Sequence, residues 1–181
     1  MSKKKPDVKE FKPNEILIKN RQLFLHEVVN EKSSSRIITS IMALDIESKN
    51  PITLWINSPG GSTSHGLAII NTMLMARSPI ITIINTQACS MASLISIAGD
   101  VRKMVANGEY MCHDMKGGIT GDYSEKVKYR AEWLEKHFQI LNNIYREHSN
   151  LTEEDLEIAR HGELWLNAEE CLAKGVVDEI I

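Results

Sequence analysis

Two periodicities share this chain of 181 residues, and the places where one yields to the other mark its elements. Gln22-Leu23-Phe24-Leu25-His26-Glu27-Val28-Val29 reads as a strand with a partly apolar face. Ser33-Ser34-Ser35 supplies capping hydroxyls for a helix whose Ile37, Ile38, Ile41, Met42, Leu44 and Ile46 recur at helical spacing. Ile52 to Asn57 and Ile80 to Asn85 are short apolar runs of the kind that form buried strands. Each leads through small residues into a helical pattern, at Gly66 to Met75 and at Leu94 to Ala98. Val101 to Val105 and Tyr110 to His113 read as two more short strands, joined by a turn at Ala106-Asn107-Gly108. Lys116 to Asp122 is an extended, glycine-punctuated excursion, and Ser124 then opens the longest helix. On it Val127, Ala131, Leu134, Phe138, Leu141 and Tyr145 form one apolar stripe, suited equally to the chain's own core or to a partner subunit.

Thr152, followed three residues later by Asp155, carries a capping pattern; Asn167 caps the last helix, and Gly175 stops it before Val176 to Ile180. Met1 to about Asn14 is polar with two prolines and reads as a flexible N-terminal arm, leaving 15–181 as one domain. No internal repeat is present. Strands alternating with helices imply an α/β fold with mostly parallel pairing.

The junction after the second apolar run, Thr86-Gln87-Ala88-Cys89-Ser90-Met91-Ala92-Ser93, sets a serine where a helix begins. Unpaired N–H groups and the positive end of the macrodipole lie close by, and small neighbours admit a substrate carbonyl. That is how a fold presents a nucleophilic serine. The earlier junction, Ser58-Pro59-Gly60-Gly61-Ser62, adds paired glycines that can aim backbone N–H groups into a cavity. Two such groups make an oxyanion hole, worth roughly 3–4 kcal/mol per donor. A lone Pro-Gly-Gly is explained by a tight turn and a helix cap. Two junctions about thirty residues apart, as parallel strands require, point to a site.

Composition narrows the class. With 43% hydrophobic and 25% charged residues the chain is of ordinary globular type, and its net charge of −3 argues against nucleic acid or an anionic membrane. Lys3-Lys4-Lys5 belongs to the solvated arm. No apolar run reaches transmembrane length, and the N-terminus has no hydrophobic signal region. Cys89, Cys112 and Cys171 are odd in number and set in apolar surroundings, which fits reduced thiols in a cytoplasm. Cys89 adjoins Ser90 and is a second candidate nucleophile, but the small-residue motif centres on the serine.

A serine nucleophile needs a base, most often histidine. Of six histidines, His137 and His148 fall among charges on the long helix, and packing or capping accounts for His26 and His65. His113 ends an apolar strand and precedes Asp114 and the glycine-rich excursion. Strand ends are where α/β folds gather their chemistry. Spacing leaves the orienting acid open among Asp114, Asp122, Asp155, Glu163 and Asp178.

Taken together, Ile56-Asn57-Ser58-Pro59-Gly60-Gly61-Ser62, Gln87-Ala88-Cys89-Ser90-Met91-Ala92 and Met111-Cys112-His113 resemble the hallmarks of the ClpP family, the proteolytic subunits of the Clp protease. Trp165 to Cys171 and Gly175 to Asp178 look like that family's C-terminal segment, so the likeness runs from about Leu23 to the last residue. The resemblance implies a ClpP/crotonase fold of stacked β-β-α turns, with a protruding handle over about 116–148. It implies a self-compartmentalising serine endopeptidase with Ser90 as nucleophile, His113 as general base, and the N–H groups of Gly61 and Met91 as oxyanion hole. Substrate would lie as an extended strand between Gly61, Ser62 and Thr63 on one side and Met115 and Lys116 on the other. It further implies a homo-oligomer of two stacked heptameric rings, fed by a hexameric ATP-dependent unfoldase of the AAA+ class. No metal or organic cofactor is implied, and ATP would be used only by that partner, since the chain has no Gly-x-x-x-x-Gly-Lys loop.

Three departures stand out. The family's triad acid is aspartate, but the matching position here is Glu163, whose longer arm can still hold the imidazole tautomer. Where the family commonly has an arginine just before the acid this chain has Gly162, with Asp122 at the matching handle position, so no arginine–acid link forms between them. Met1 to Lys12 is lysine-rich and unlike the family's apolar stem and axial loop, and it shows no propeptide. Two other functions share the motifs: a crotonase-type acyl-CoA enzyme, which uses the paired N–H groups without the serine–histidine pair, and a non-catalytic or regulatory ring subunit.

Overall fold

The computed structural model describes residues 12–114 and 124–181. Pro13 sits at the start of α1 (Pro13–Lys19), where its missing N–H costs nothing, and none of that helix is buried. Two residues expected in the arm, Pro13 and Asn14, therefore open a helix. Then come β1 (Gln22–Leu25), α2 (Glu31–Glu47), β2 (Ile52–Ser58), α3 (Thr63–Met75), β3 (Ile80–Cys89), α4 (Met91–Ile97), β4 (Val101–Met104) and β5 (Glu109–Cys112). The chain closes with α5 (Ser124–His148), α6 (Glu153–His161), β6 (Leu164–Leu166), α7 (Ala168–Ala173) and β7 (Glu179–Ile180).

Among the described residues seven strands form one sheet. Its main path runs β1-β2-β3-β4-β7, and every pairing on that path is parallel. The long strand β3 forks. Its first half, Ile81 to Ile84, pairs with β4; its second half, Gln87 to Cys89, pairs with β5. That fork explains why the strand runs on past Asn85, where the apolar pattern ends, through Thr86 to Cys89: the ladder changes partner there. β5 in turn pairs antiparallel with β6, Cys112 opposite Leu164.

Beneath the sheet the core is aliphatic, with Leu25, Ile37, Ile52, Leu54, Ile56, Ile69, Ile80, Ile84 and Ile95 all fully buried. Such burial contributes on the order of 25 cal/mol per Å² of apolar surface and fixes where the strand ends fall. Capping then sets where helices begin. Asn30, not the serine run, caps α2: its side chain accepts from the Ser33 N–H at 3.0 Å while Ser33 Oγ accepts from the Asn30 N–H at 2.9 Å. Thr152 and Asn167 cap α6 and α7 in the same reciprocal way. The apolar stripe of α5 divides. Phe138, Leu141 and Tyr145 are buried against this chain's own core, whereas Ala131, Tyr129 and Trp133 on the first half are exposed.

No helix among the described residues is long and apolar enough to cross a membrane.

Candidate active site

Ser90 occupies the one-residue step between β3 and α4, in a left-handed backbone conformation (φ 55°, ψ −126°) that L side chains rarely adopt. Three main-chain and side-chain bonds hold the turn. The Ser90 N–H donates to the Met111 carbonyl at 2.8 Å, tying it to β5, and the Ser90 carbonyl accepts from the N–H and the hydroxyl of Ser93 at 2.9 and 2.6 Å. Such a conformation costs of order 1–3 kcal/mol and persists only where its surroundings over-determine it.

The glycine pair lies against this turn. A Cβ on Gly60 would stand 2.5 Å from the Cys89 carbonyl, 2.7 Å from Ser90 Cβ and 2.8 Å from the Met91 nitrogen, so only glycine fits. Gly60 and Gly61 both have positive φ, 89° and 147°. The Gly60 carbonyl accepts from the Val29 N–H and the Ser62 N–H donates to the Val29 carbonyl, both at 2.8 Å. In a planar trans peptide the N–H points opposite the C=O, so pinning the Gly60 carbonyl on Val29 turns the Gly61 N–H the other way. Met91, first residue of α4, contributes an N–H that the helix itself leaves unpartnered.

One cavity of about 1260 Å³ gathers these groups: Gly61, Ser62, Thr63, Ser90, Met91 and His113 all line it, together with Asp114 and Met111. Its far wall is the inner face of α5, from Leu134 through Phe138 to Tyr145, with Trp133 and His137 stacked at 5.0 Å. The sequence reading missed that wall, although the apolar stripe on α5 was its signal. His137, which the sequence sets among charges, is half-buried in it.

His113 follows β5 directly, and no hydrogen bond joins its ring to the Ser90 hydroxyl in this free chain; serine and base commonly tighten only with substrate present. Glu163 is exposed and does not line the cavity; one of its carboxylate oxygens accepts from the Trp165 indole N–H at 3.0 Å. Among the other acids weighed, Asp155 is engaged by Lys174 at 2.8 Å and by Thr152, and Asp178 by Arg102, so both are structural. Met115, Lys116 and Asp122 lie outside the described residues. Near Gly162, which ends α6, the ion pair to the long helix comes instead from Arg160, two residues earlier, to Glu135 at 3.2 Å.

Cys89 is a poor rival nucleophile. It is buried, and burial, then the carboxylates of Glu109 and Glu163, raise its thiol above the usual range. Burial, with Asp155 nearby, pushes Cys112 up to about 12, and burial likewise takes Cys171 to about 12. No cluster of three or more His, Cys, Asp or Glu among the described residues could hold a metal ion.

A serine at a strand–helix step, two aimed amides and a histidine on a common cavity define an acyl-transfer type of site. Comparison with known proteins gives the family. The Clp protease family model matches residues 5–181. The ATP-dependent Clp protease proteolytic subunit of Streptococcus gordonii is similar, at 36% identity over 169 residues, covering 91% of this chain and 86% of that protein. The chain belongs to the Clp protease family, which does not favour the acyl-CoA or the non-catalytic reading.

Proposed function

We propose that this chain is a serine endopeptidase that hydrolyses unfolded proteins and peptides by acyl transfer inside an oligomeric chamber. The observation that carries it is the shared cavity of Ser90, His113, Gly61 and Met91 in a chain of this family. In this reading the Ser90 hydroxyl attacks the scissile carbonyl while His113 accepts its proton. The N–H groups of Gly61 and Met91 receive the oxyanion, worth about 3–4 kcal/mol each. His113 then protonates the leaving amine, and water repeats the cycle on the acyl-enzyme. Glu163 completes the triad by holding the imidazole tautomer and balancing the imidazolium charge. Gly61, Ser62 and Thr63 pair with one edge of an extended substrate and Met115 and Lys116 with the other.

Membership of this family carries oligomeric assembly and work with Clp ATPases in general. The finer assembly, two stacked heptameric rings served by a hexameric AAA+ unfoldase in a cytoplasm, is part of the proposal. So is cofactor-free chemistry, with ATP consumed only by the partner. The exposed first half of α5 supports a handle that meets a neighbouring subunit.

Labelling with a serine-reactive fluorophosphonate and hydrolysis of a short fluorogenic peptide test the reading, with sedimentation of the same samples. Wild type labels once per chain and turns over in an oligomer. Ser90→Ala abolishes both. Persistent labelling or turnover in Ser90→Ala overturns it.

A further inference from the structure

The nucleophile's backbone is not held by main-chain bonds alone. Ser93, one turn into α4 and fully buried, lays its hydroxyl 2.6 Å from the Ser90 carbonyl and 2.7 Å from the hydroxyl of Tyr145 on α5. A serine hydroxyl has one proton. Since Ser93 gives that proton to the Ser90 carbonyl, the bond to Tyr145 runs the other way: the phenol donates to Ser93 Oγ. Tyr145 is buried, which raises its phenol well above the usual range and keeps that donor protonated at any working pH. The relay is therefore directional, from Tyr145 to Ser93 to the carbonyl of Ser90.

That carbonyl shares a peptide plane with the Met91 N–H. In a trans peptide the two point in opposite directions, so whatever fixes the carbonyl aims the amide. The same device serves the other amide, where Val29 holds the Gly60 carbonyl. Here a side chain from a distant helix reaches in to reinforce it, and a hydrogen bond received by Ser93 strengthens the one it gives.

We propose that Ser93 and Tyr145 are positioning residues for the reaction proposed above: their hydroxyl relay holds the Ser90–Met91 peptide so that the Met91 N–H faces the developing oxyanion. The inference rests on the serine-peptidase reading. It places the effect in the transition state, because a ground-state carbonyl draws less on that amide than a tetrahedral oxyanion does.

Tyr145→Phe, Ser93→Ala and the double variant test this in the full-length protein, with short-peptide kinetics, fluorophosphonate labelling rates and thermal melts. Tyr145→Phe keeps the ring and its packing, and its kcat falls about three- to tenfold. Ser93→Ala lowers kcat at least tenfold. KM stays within twofold in both, since substrate binding is untouched. The double variant is no slower than Ser93→Ala alone, because Tyr145 acts only through Ser93. Should Ser93→Ala melt too low to assay, the kcat-only loss in Tyr145→Phe decides. Wild-type rates in Tyr145→Phe, a loss borne by KM, or multiplying effects in the double variant overturn the relay while leaving the peptidase reading intact. A wild type that neither labels nor turns over overturns that reading instead.

Discussion

His113 and Glu163 each stand one residue beyond the last pair of the only antiparallel pairing among the described strands. Cys112 pairs with Leu164, the last registered pair between β5 and β6, and the next residue outward on each side is the histidine and the glutamate. Past that pair the chain leaves the ladder, the Asp114 N–H donating to the Ala159 carbonyl on α6 at 2.9 Å. Trp165 stands two residues on from Glu163, and its indole captures the carboxylate here.

From that pairing, Glu163→Ala should lower kcat by about 10³–10⁴-fold on a short peptide, the scale seen when a serine-protease histidine loses its orienting acid. Labelling at Ser90 should slow in parallel. Glu163→Gln should be nearly as poor, because a neutral amide cannot balance imidazolium. Turnover near wild type in Glu163→Ala would remove this residue from the triad.

Much of this arrangement was legible beforehand, for a definable reason. The two small-residue junctions at Gly60-Gly61 and Ser90-Met91 announce themselves because close backbone approach excludes larger side chains, and the capping patterns at Thr152 and Asn167 are local. What stayed hidden depends on contacts between distant residues. Thr86 to Cys89 become strand only because β3 changes partner, β6 is three residues long and exists through its pairing, and the Ser33 hydroxyl serves an asparagine cap that no spacing rule singles out. The β1 strand stops at Leu25, short of the Val29 limit the pattern suggests, because Val28 and Val29 turn toward the glycine pair. The orienting acid is the same case: five carboxylates satisfied the pattern, and it takes the ion pairs of Asp155 and Asp178 and the β5–β6 register beside Glu163 to tell them apart.

Tyr110 offers a stability test next to the site. It is completely buried on β5, and its hydroxyl has no hydrogen-bond partner among the described residues. A buried hydroxyl without a partner costs about 1–3 kcal/mol. Tyr110→Phe keeps the ring and removes that burden, so its Tm should rise by a few degrees. A fall in Tm would mean that the hydroxyl is satisfied in solution.

Arg21 poses two opposed effects on one residue. Its backbone is left-handed (φ 60°), a conformation costing roughly 1–2 kcal/mol for an L residue. Its buried guanidinium, however, donates to the carbonyls of Leu44, Ser48 and Pro51 and to Ser78 Oγ, closing the C-terminal end of α2, where the macrodipole favours a cation. Hydrogen bonds from a charged donor contribute about 1.5–3 kcal/mol each, so the side chain outweighs the strain. Arg21→Gly should therefore lower stability in chemical denaturation despite relieving the backbone. A stabilised Arg21→Gly would reverse that ranking.

Acid should unfold this protein through identifiable carboxylates. Burial raises Asp155, but hydrogen bonds from Lys174 and Thr152 outweigh it and hold the carboxyl below its usual value. Asp178 is lowered chiefly by hydrogen bonds from Arg102, and Asp45 lies below the ordinary carboxylate range, where bonds from Ser78 and Arg77 overcome its burial. Each folded-state value lies under the unfolded one, about 3.9 for aspartate, so the unfolded chain binds more protons in that interval. The stabilisation is complete above about pH 5 and drains away as pH falls through the lowered folded values. Thermal melts from pH 7 down to pH 2.5 should show Tm level at first and falling steeply below about pH 4. Asp155→Asn should start from a lower Tm at pH 7 and lose less on acidification, because its share of the proton uptake is gone. Parallel acid limbs in the two proteins would mean that Asp155 titrates alike in the folded and unfolded chains.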